Sequence, residues 1–180
     1  GHEIKRLVHK TIKKVTEDLG GIAAALPAPA APPSRLPAWQ LYLDVLRRAG
    51  RPVTVLAIGP VTNLALAWRA DPTVARLGRP IYLQGDFLAG RGYNCVTDRT
   101  AARELLATGV PLRLVPSEAA ALVTWDGALD LQLGAGAGAV SRLLSQMMSA
   151  PAVRAMQLRL WDDTALAGLL DPAALRWREI

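Results

Sequence analysis

The sequence predicts an α/β fold, an open and mostly parallel sheet flanked by helices, on three observations. Short apolar runs rich in β-branched residues recur at Val53 to Ile58, Pro80 to Leu83 and Val110 to Val115. Each of the first two stops at a glycine, and stretches with helical spacing separate all three. Strand, helix, strand, helix, strand is the order of a parallel sheet, because parallel neighbours need a long crossover between them.

The first unit is VTVLAIGPVTNLALA, Val53 to Ala67. Val53, Thr54 and Val55 favour a buried strand, Gly59-Pro60 stops it, and Thr62 or Asn63 is placed to cap the helix that follows. In such units ligands collect at the carboxyl ends of the strands, here Ile58, Gly59 and the turn. Upstream, Trp39, Leu41, Tyr42, Val45 and Leu46 give Ala38 to Ala49 an apolar face, with Asp44, Arg47 and Arg48 on the wet side and Gly50 to end the helix.

Asp71-Pro72 opens a short helix closed at Gly78. After the strand at Pro80 to Leu83, residues Asp86 to Thr97 read as a glycine-rich loop, the usual place for binding groups past a strand end. Asp98 then caps RTAARELLATG ahead of the third strand. Ser117 to Val123 and Leu129 to Leu133 are ambiguous, and the Gly-Ala run Gly134 to Ala139 lacks the lysine and Ser/Thr of a phosphate loop. Val140 to Met156 reads as a helix or helical pair interrupted at Ala150-Pro151, with the methionines filling core. Asp162, Asp163 and Thr164 open a helix that closes near Gly168 to Leu170, before Asp171-Pro172 starts another.

The net charge of +6 is mostly local. Lys5, Arg6, Lys10, Lys13 and Lys14 stand against Glu3 in the first fifteen residues, and every basic residue from Arg35 onward is arginine. Residues 1–15 therefore read as a basic amphipathic leader helix, foreign in composition to residues 16–180, which read as one α/β domain. The leader is either a solvated or non-homologous segment or a helix for a nucleic-acid or membrane surface. Between them, Gly20 to Pro37 carries prolines too closely spaced for a helix or central strand.

Several classes are excluded as primary readings. The single Cys95 makes no internal disulfide, no Cys/His cluster has zinc spacing, and both histidines lie in the leader. The serines and Cys95 of the body thus lack an imidazole base. Glu118, Asp126 and Asp130 read as solvated loop carboxylates rather than a glycosidase pair. Few aromatic residues and no basic stripe argue against nucleic acid, and no apolar run is long enough for a membrane helix. The expectation is a soluble, cytoplasmic protein.

Four segments, in order, carry a resemblance: EDLGG at Glu17 to Gly21, GPVTNLALA after the first strand, GYNCVTDRTAARELLATGVPLRLVP, and LWDDTALAGLLDPAAL. Together they resemble the inosine-uridine preferring nucleoside hydrolases over about Glu17 to Leu175. The resemblance implies a nucleoside-hydrolase-like sheet, hydrolysis of the N-glycosidic bond of ribonucleosides, a calcium ion with its bound water, a small-molecule nucleoside partner and a homo-oligomer. It matches Asp162 to the late calcium-binding aspartate, Ile58 to the residue whose backbone carbonyl meets the metal, and Asn94 to the asparagine of the EFN segment that contacts ribose. Asp162 has a helix N-cap as its ordinary structural role, Asn94 a turn residue, and Asn63 a cap bracing the turn.

Departures from the family pattern set the functional expectation. The DxDxGxDD cluster is not found upstream of the GPVTN turn, Gly92 stands in place of the EFN glutamate, and Trp161 stands in place of the histidine before the late aspartate. Calcium wants six to eight oxygen ligands, and glycosidic cleavage wants an activated leaving base. The expectation is a truncated or degenerate relative with weak or no activity; the alternative is a silent domain that binds a ligand or a protein.

Overall fold

The computed structural model describes residues 32–136, 138–155 and 158–180. The leader helix and the EDLGG turn expected above lie outside the described residues. The chain divides into two compact units, one of Pro33–Val123 with Leu160–Ile180 and one that includes Thr124–Arg159.

The first unit holds a three-stranded parallel sheet in the order β1 (Val53–Ala57), β2 (Gly78–Gln84), β3 (Leu112–Val115). Helix α1 (Ala38–Ala49) precedes it, α2 (Thr62–Ala70) and a 3-10 turn (Pro72–Arg76) join β1 to β2, and α3 (Tyr93–Val96) with α4 (Arg99–Ala107) join β2 to β3. The short α5 (Ser117–Ala120) follows β3, and α9 (Trp161–Leu170) with a second 3-10 turn (Pro172–Ala174) returns to this unit after the other is complete.

Alternation along β2 explains why helices cover both faces. Ile81 and Leu83 are fully buried and cluster with Leu43 and Leu46 of α1, Leu64 and Trp68 of α2, and Leu105 of α4. Tyr82 and Gln84 point the other way, and α9 packs on β2 there. α1 packs on α2 and α2 on α4, so the first face is closed by one layer.

Local chemistry sets the ends. Gly50 and Gly109 adopt positive φ after α1 and α4, where other residues would be strained. Asp71 caps the first 3-10 turn by accepting from the Thr73 N–H, and its carboxyl is lowered to about 2 by the Thr73 hydroxyl, then Arg47. Tyr42 is pushed up to about 12 by burial, and its hydroxyl lies where a side chain at residue 78 would stand, so any larger residue there would have to displace Tyr42.

Several expectations change in detail. β1 is half-buried rather than buried, because among the described residues it pairs on one side only. The inner face of α1 centres on Leu43 and Leu46, leaving Leu41 and Val45 exposed. Neither Thr62 nor Asn63 caps α2: Val61 takes the cap position with no side-chain bond, and Asn63 is exposed. The loop after β2 contains the helix α3, β2 runs longer than Pro80 to Leu83, and β3 begins at Leu112 rather than Val110. Trp68 is a core residue.

The second unit carries α6 (Gly127–Ala135), α7 (Ala139–Ser149) and α8 (Pro151–Arg154). Asp126 accepts from the Ala128 and Leu129 N–H groups, which makes it the start signal of α6. Thr124 and Arg159 form an antiparallel bridge. The helical pair expected on either side of Ala150-Pro151 is present, since proline cannot continue α7 but suits the first turn of α8. No helix among the described residues is long and apolar enough to cross a membrane.

Leu105 is fully buried at the centre of the first face. Leu105→Ala is expected to cost about 2–5 kcal/mol, read as a lowered urea midpoint with unchanged slope.

Candidate functional site

Where β1 and β2 end side by side, the chain must satisfy two backbone carbonyls that no ladder reaches. Asn94, on the short α3, does this. Its Nδ2 donates to the Gln84 carbonyl and to Gln84 Oε1 at 3.0 Å each, and to the Ile58 carbonyl at 3.3 Å. Both Asn94 and Gln84 are buried, so each missing partner would leave a desolvated polar group. Two backbone acceptors on one side fix which end of the amide faces them.

The loop that delivers Asn94 is held on both sides. Gly85, at φ 133°, would bring a Cβ to 3.5 Å from the Asn94 side chain and 3.2 Å from Phe87, so the turn out of β2 is built around the absence of a side chain. Asp86 accepts from the Ser117 N–H at 2.7 Å, which ties the end of β2 to the start of α5. Arg91 pairs with Glu118, and Arg99 donates to the Gly90 carbonyl at 2.7 Å. Glu118 is thereby an ion-pair partner of the loop.

A second tie runs parallel to the first. Thr62 donates its hydroxyl to Asp98 Oδ2 at 2.8 Å, while Asp98 Oδ1 accepts from the Ala101 N–H as the cap of α4. The Ala101 N–H first, then the Thr62 hydroxyl, hold the Asp98 carboxyl below its ordinary pKa. The turn after β1 and the start of α4 are thus one assembly.

Of the three residues singled out in the sequence, the structure joins Ile58 and Asn94 directly. Asp162 lies in the first turn of α9 and is exposed. The cap of α9 is Leu160, so Asp162 is not the N-cap. Partial burial, then the neighbouring Asp163, push its carboxyl above the usual range. Gln84 was not singled out; its signal was a polar residue at the end of the apolar strand PIYLQ.

In the turn after β1 and the loop that carries Asn94, Ile58 is 46%, Leu88 64% and Tyr93 76% exposed. Two surface hollows of about 380 and 330 Å³ lie elsewhere, lined by α1 with Ala70 and by α2 with α4. Among the described residues no group of three or more His, Cys, Asp or Glu is placed to hold a metal. One carbonyl already bonded to Asn94 and one exposed aspartate do not fit calcium, which needs six to eight oxygens. The corner as described is a hydrogen-bonding site.

Comparison with known proteins gives consistent results. A family profile described as inosine-uridine preferring nucleoside hydrolase matches residues 5–180. The chain is 29% identical over 120 residues to the pyrimidine-specific ribonucleoside hydrolase RihA of Escherichia coli O139:H28, covering 62% of this chain and 39% of that protein. With the protein of the same name from Enterobacter sp. strain 638 it shares 33% over 94 residues, 49% of this chain and 30% of the other. The chain thus spans well under half the length of the curated relatives it matches. Among solved structures it is similar in fold to the purine-preferring ribonucleoside hydrolase from Gardnerella vaginalis, with TM-score 0.67 and 19% identity over 82% of this chain and 51% of that one. The inosine-uridine preferring nucleoside hydrolase from Bacillus anthracis gives TM-score 0.66 and 18% identity over 83% and 55%.

Two outcomes follow from the ties. Asn94→Ala is expected to destabilise by about 2 kcal/mol, because it orphans buried acceptors, as measured by urea unfolding. Asp98 has a depressed folded-state pKa, so its contribution is full above the unfolded value near 4 and is lost as pH falls through the folded value. Asp98→Asn should therefore flatten the acid limb of a stability–pH profile, with its largest loss at neutral pH.

Proposed function

The chain belongs to the inosine-uridine preferring nucleoside hydrolase family, and from that membership we propose that its strand-end corner binds the sugar of a ribonucleoside with weak or no turnover. The reaction class of the family is hydrolysis of the N-glycosidic bond. One observation supports sugar binding above the others: Asn94 is buried with its amide nitrogen held by Ile58 and Gln84, so the side chain is oriented before any ligand arrives. A preoriented amide loses little freedom when it meets a ribose hydroxyl.

Interior substitutions support weak turnover. Gly92, not an acid, precedes Asn94 by two residues, and Trp161, not an imidazole, precedes Asp162. Gly92 lacks the acidic ribose contact that the resemblance assigns to its position, and Trp161 offers no proton to a departing base. The described residues do not fit calcium, so no step of this proposal runs through a metal; Asp162 and the Ile58 carbonyl would be its ligands only in company with further oxygens. Self-association and a cytoplasmic location belong to the same proposal and rest on the family resemblance and the single cysteine.

The names of relatives include pyrimidine-specific and purine-preferring enzymes, so both kinds of base belong in the test. Inosine, uridine and ribose are titrated with and without calcium, following melting temperature and release of free base by chromatography. The expected outcome is a saturable rise in melting temperature, by about 2.7 kcal/mol of added stability at a hundredfold excess over Kd, with little base released. Rapid base release overturns the weak-turnover part. No shift with any of the three ligands overturns the sugar-binding part.

A further inference from the structure

The face of β2 opposite the main core carries a contact set that the site description above does not use. Tyr82 is buried there, two residues before Gln84 on the same side of the strand. Over its ring stands Trp177, edge to face, with centroids 6.0 Å apart and planes at 80°. Arg113, directly opposite Tyr82 in the β2–β3 register, places its guanidinium carbon 5.6 Å from the Tyr82 ring and 5.3 Å from the Trp177 ring.

The position of Trp177 is determined from two further directions. Its indole Nε1 donates to the Pro172 carbonyl at 2.9 Å, which sets the plane of the ring. Gly168 of α9 faces it, and a Cβ on that residue would lie 3.1 Å from Trp177 Cζ2, so the helix approaches because Gly168 has no side chain. Leu175 and Trp177 face inward while Arg176 and Arg178 face solvent, the alternation of an extended strap. The strap therefore presses on the strand face that holds Gln84.

We infer that Trp177 is a positioning residue for the Gln84–Asn94 pair, acting through Tyr82. Gln84 is a buried amide on the face it shares with Tyr82, Trp177 and the Arg113 guanidinium, and its Oε1 has Asn94 as its partner. Removing the ring over Tyr82 admits water beside the strand, and water competes for Gln84 Oε1. The bond to Asn94 then loosens, and with it the orientation of the amide proposed to meet the sugar. The part of this inference that concerns ligand affinity rests on the sugar-binding reading; the part that concerns Asn94 does not.

The chain contains two asparagines, Asn63 and Asn94, so ¹⁵N-asparagine labelling gives two side-chain amide signals, one exposed and one buried. Trp177→Ala is expected to shift and broaden the Asn94 signal toward solvent-like values and leave Asn63 unchanged. Trp177→Phe keeps a ring over Tyr82 and should restore the Asn94 signal. Leu105→Ala, a destabilising change in the core on the other face, should not move it. If Trp177→Ala does not fold, Trp177→Leu carries the test, since it keeps bulk but lacks the ring face.

In the protein that binds inosine, Trp177→Ala should raise Kd roughly tenfold and Trp177→Phe should not. An Asn94 signal that coincides with wild type in both Trp177→Ala and Trp177→Leu overturns the inference. A shifted Asn94 signal in a protein whose wild type binds no nucleoside upholds the positioning role and overturns the sugar-binding reading alone.

Discussion

Parallel strands that end side by side leave carbonyl oxygens pointing into the same gap, and only a donor from elsewhere in the chain can satisfy them. The Asn94 amide fills that gap, bonding the last carbonyl of β2 and the first carbonyl beyond β1. The Gln84 carbonyl is buried, so the penalty for leaving it without its donor is larger than the gain from any single bond. The short α3, the glycines at 85 and 92 and the braces at Asp86 and Arg91 all serve to place that one side chain.

The two faces of the sheet answer different demands. On one, Ile81 and Leu83 meet aliphatic and aromatic side chains from three helices, and apolar packing dominates. On the other, Tyr82, Gln84, Arg113 and Trp177 mix rings, an amide and a cation. A mixed face tolerates less disorder, because a ring that shifts uncovers a polar group as well as an apolar one. It is the face that carries Gln84, and α9 with its strap covers part of it.

Much of the fold was legible because its signals are local. The alternation of β-branched runs and helical spacing gave the parallel sheet, Asp98 its cap, Gly50 and Gly109 the helix ends, and Pro151 the break between α7 and α8. The errors lie where partners far along the chain decide. Thr62 has the residue type of a cap but gives its hydroxyl to Asp98, and β1 has the composition of a central strand but one paired edge among the described residues. At the strand-end corner, Asn94 and Ile58 stood out by resemblance as a ribose contact and a metal-facing carbonyl, and the bond between them was not foreseen; Gln84 carried no motif, only polarity at a strand end.

The bonds Ile58–Asn94 and Thr62–Asp98 each span 36 residues. The turn after β1 and the stretch through α3 therefore advance in step, four residues on each side between one tie and the next. Insertions between Asn63 and Tyr93 can be absorbed by the intervening loops without breaking that correspondence. A single-residue deletion inside either four-residue step cannot, because one tie or the other would lose its partner. The length of these two short segments, rather than the identity of most residues within them, is what the pair of ties constrains.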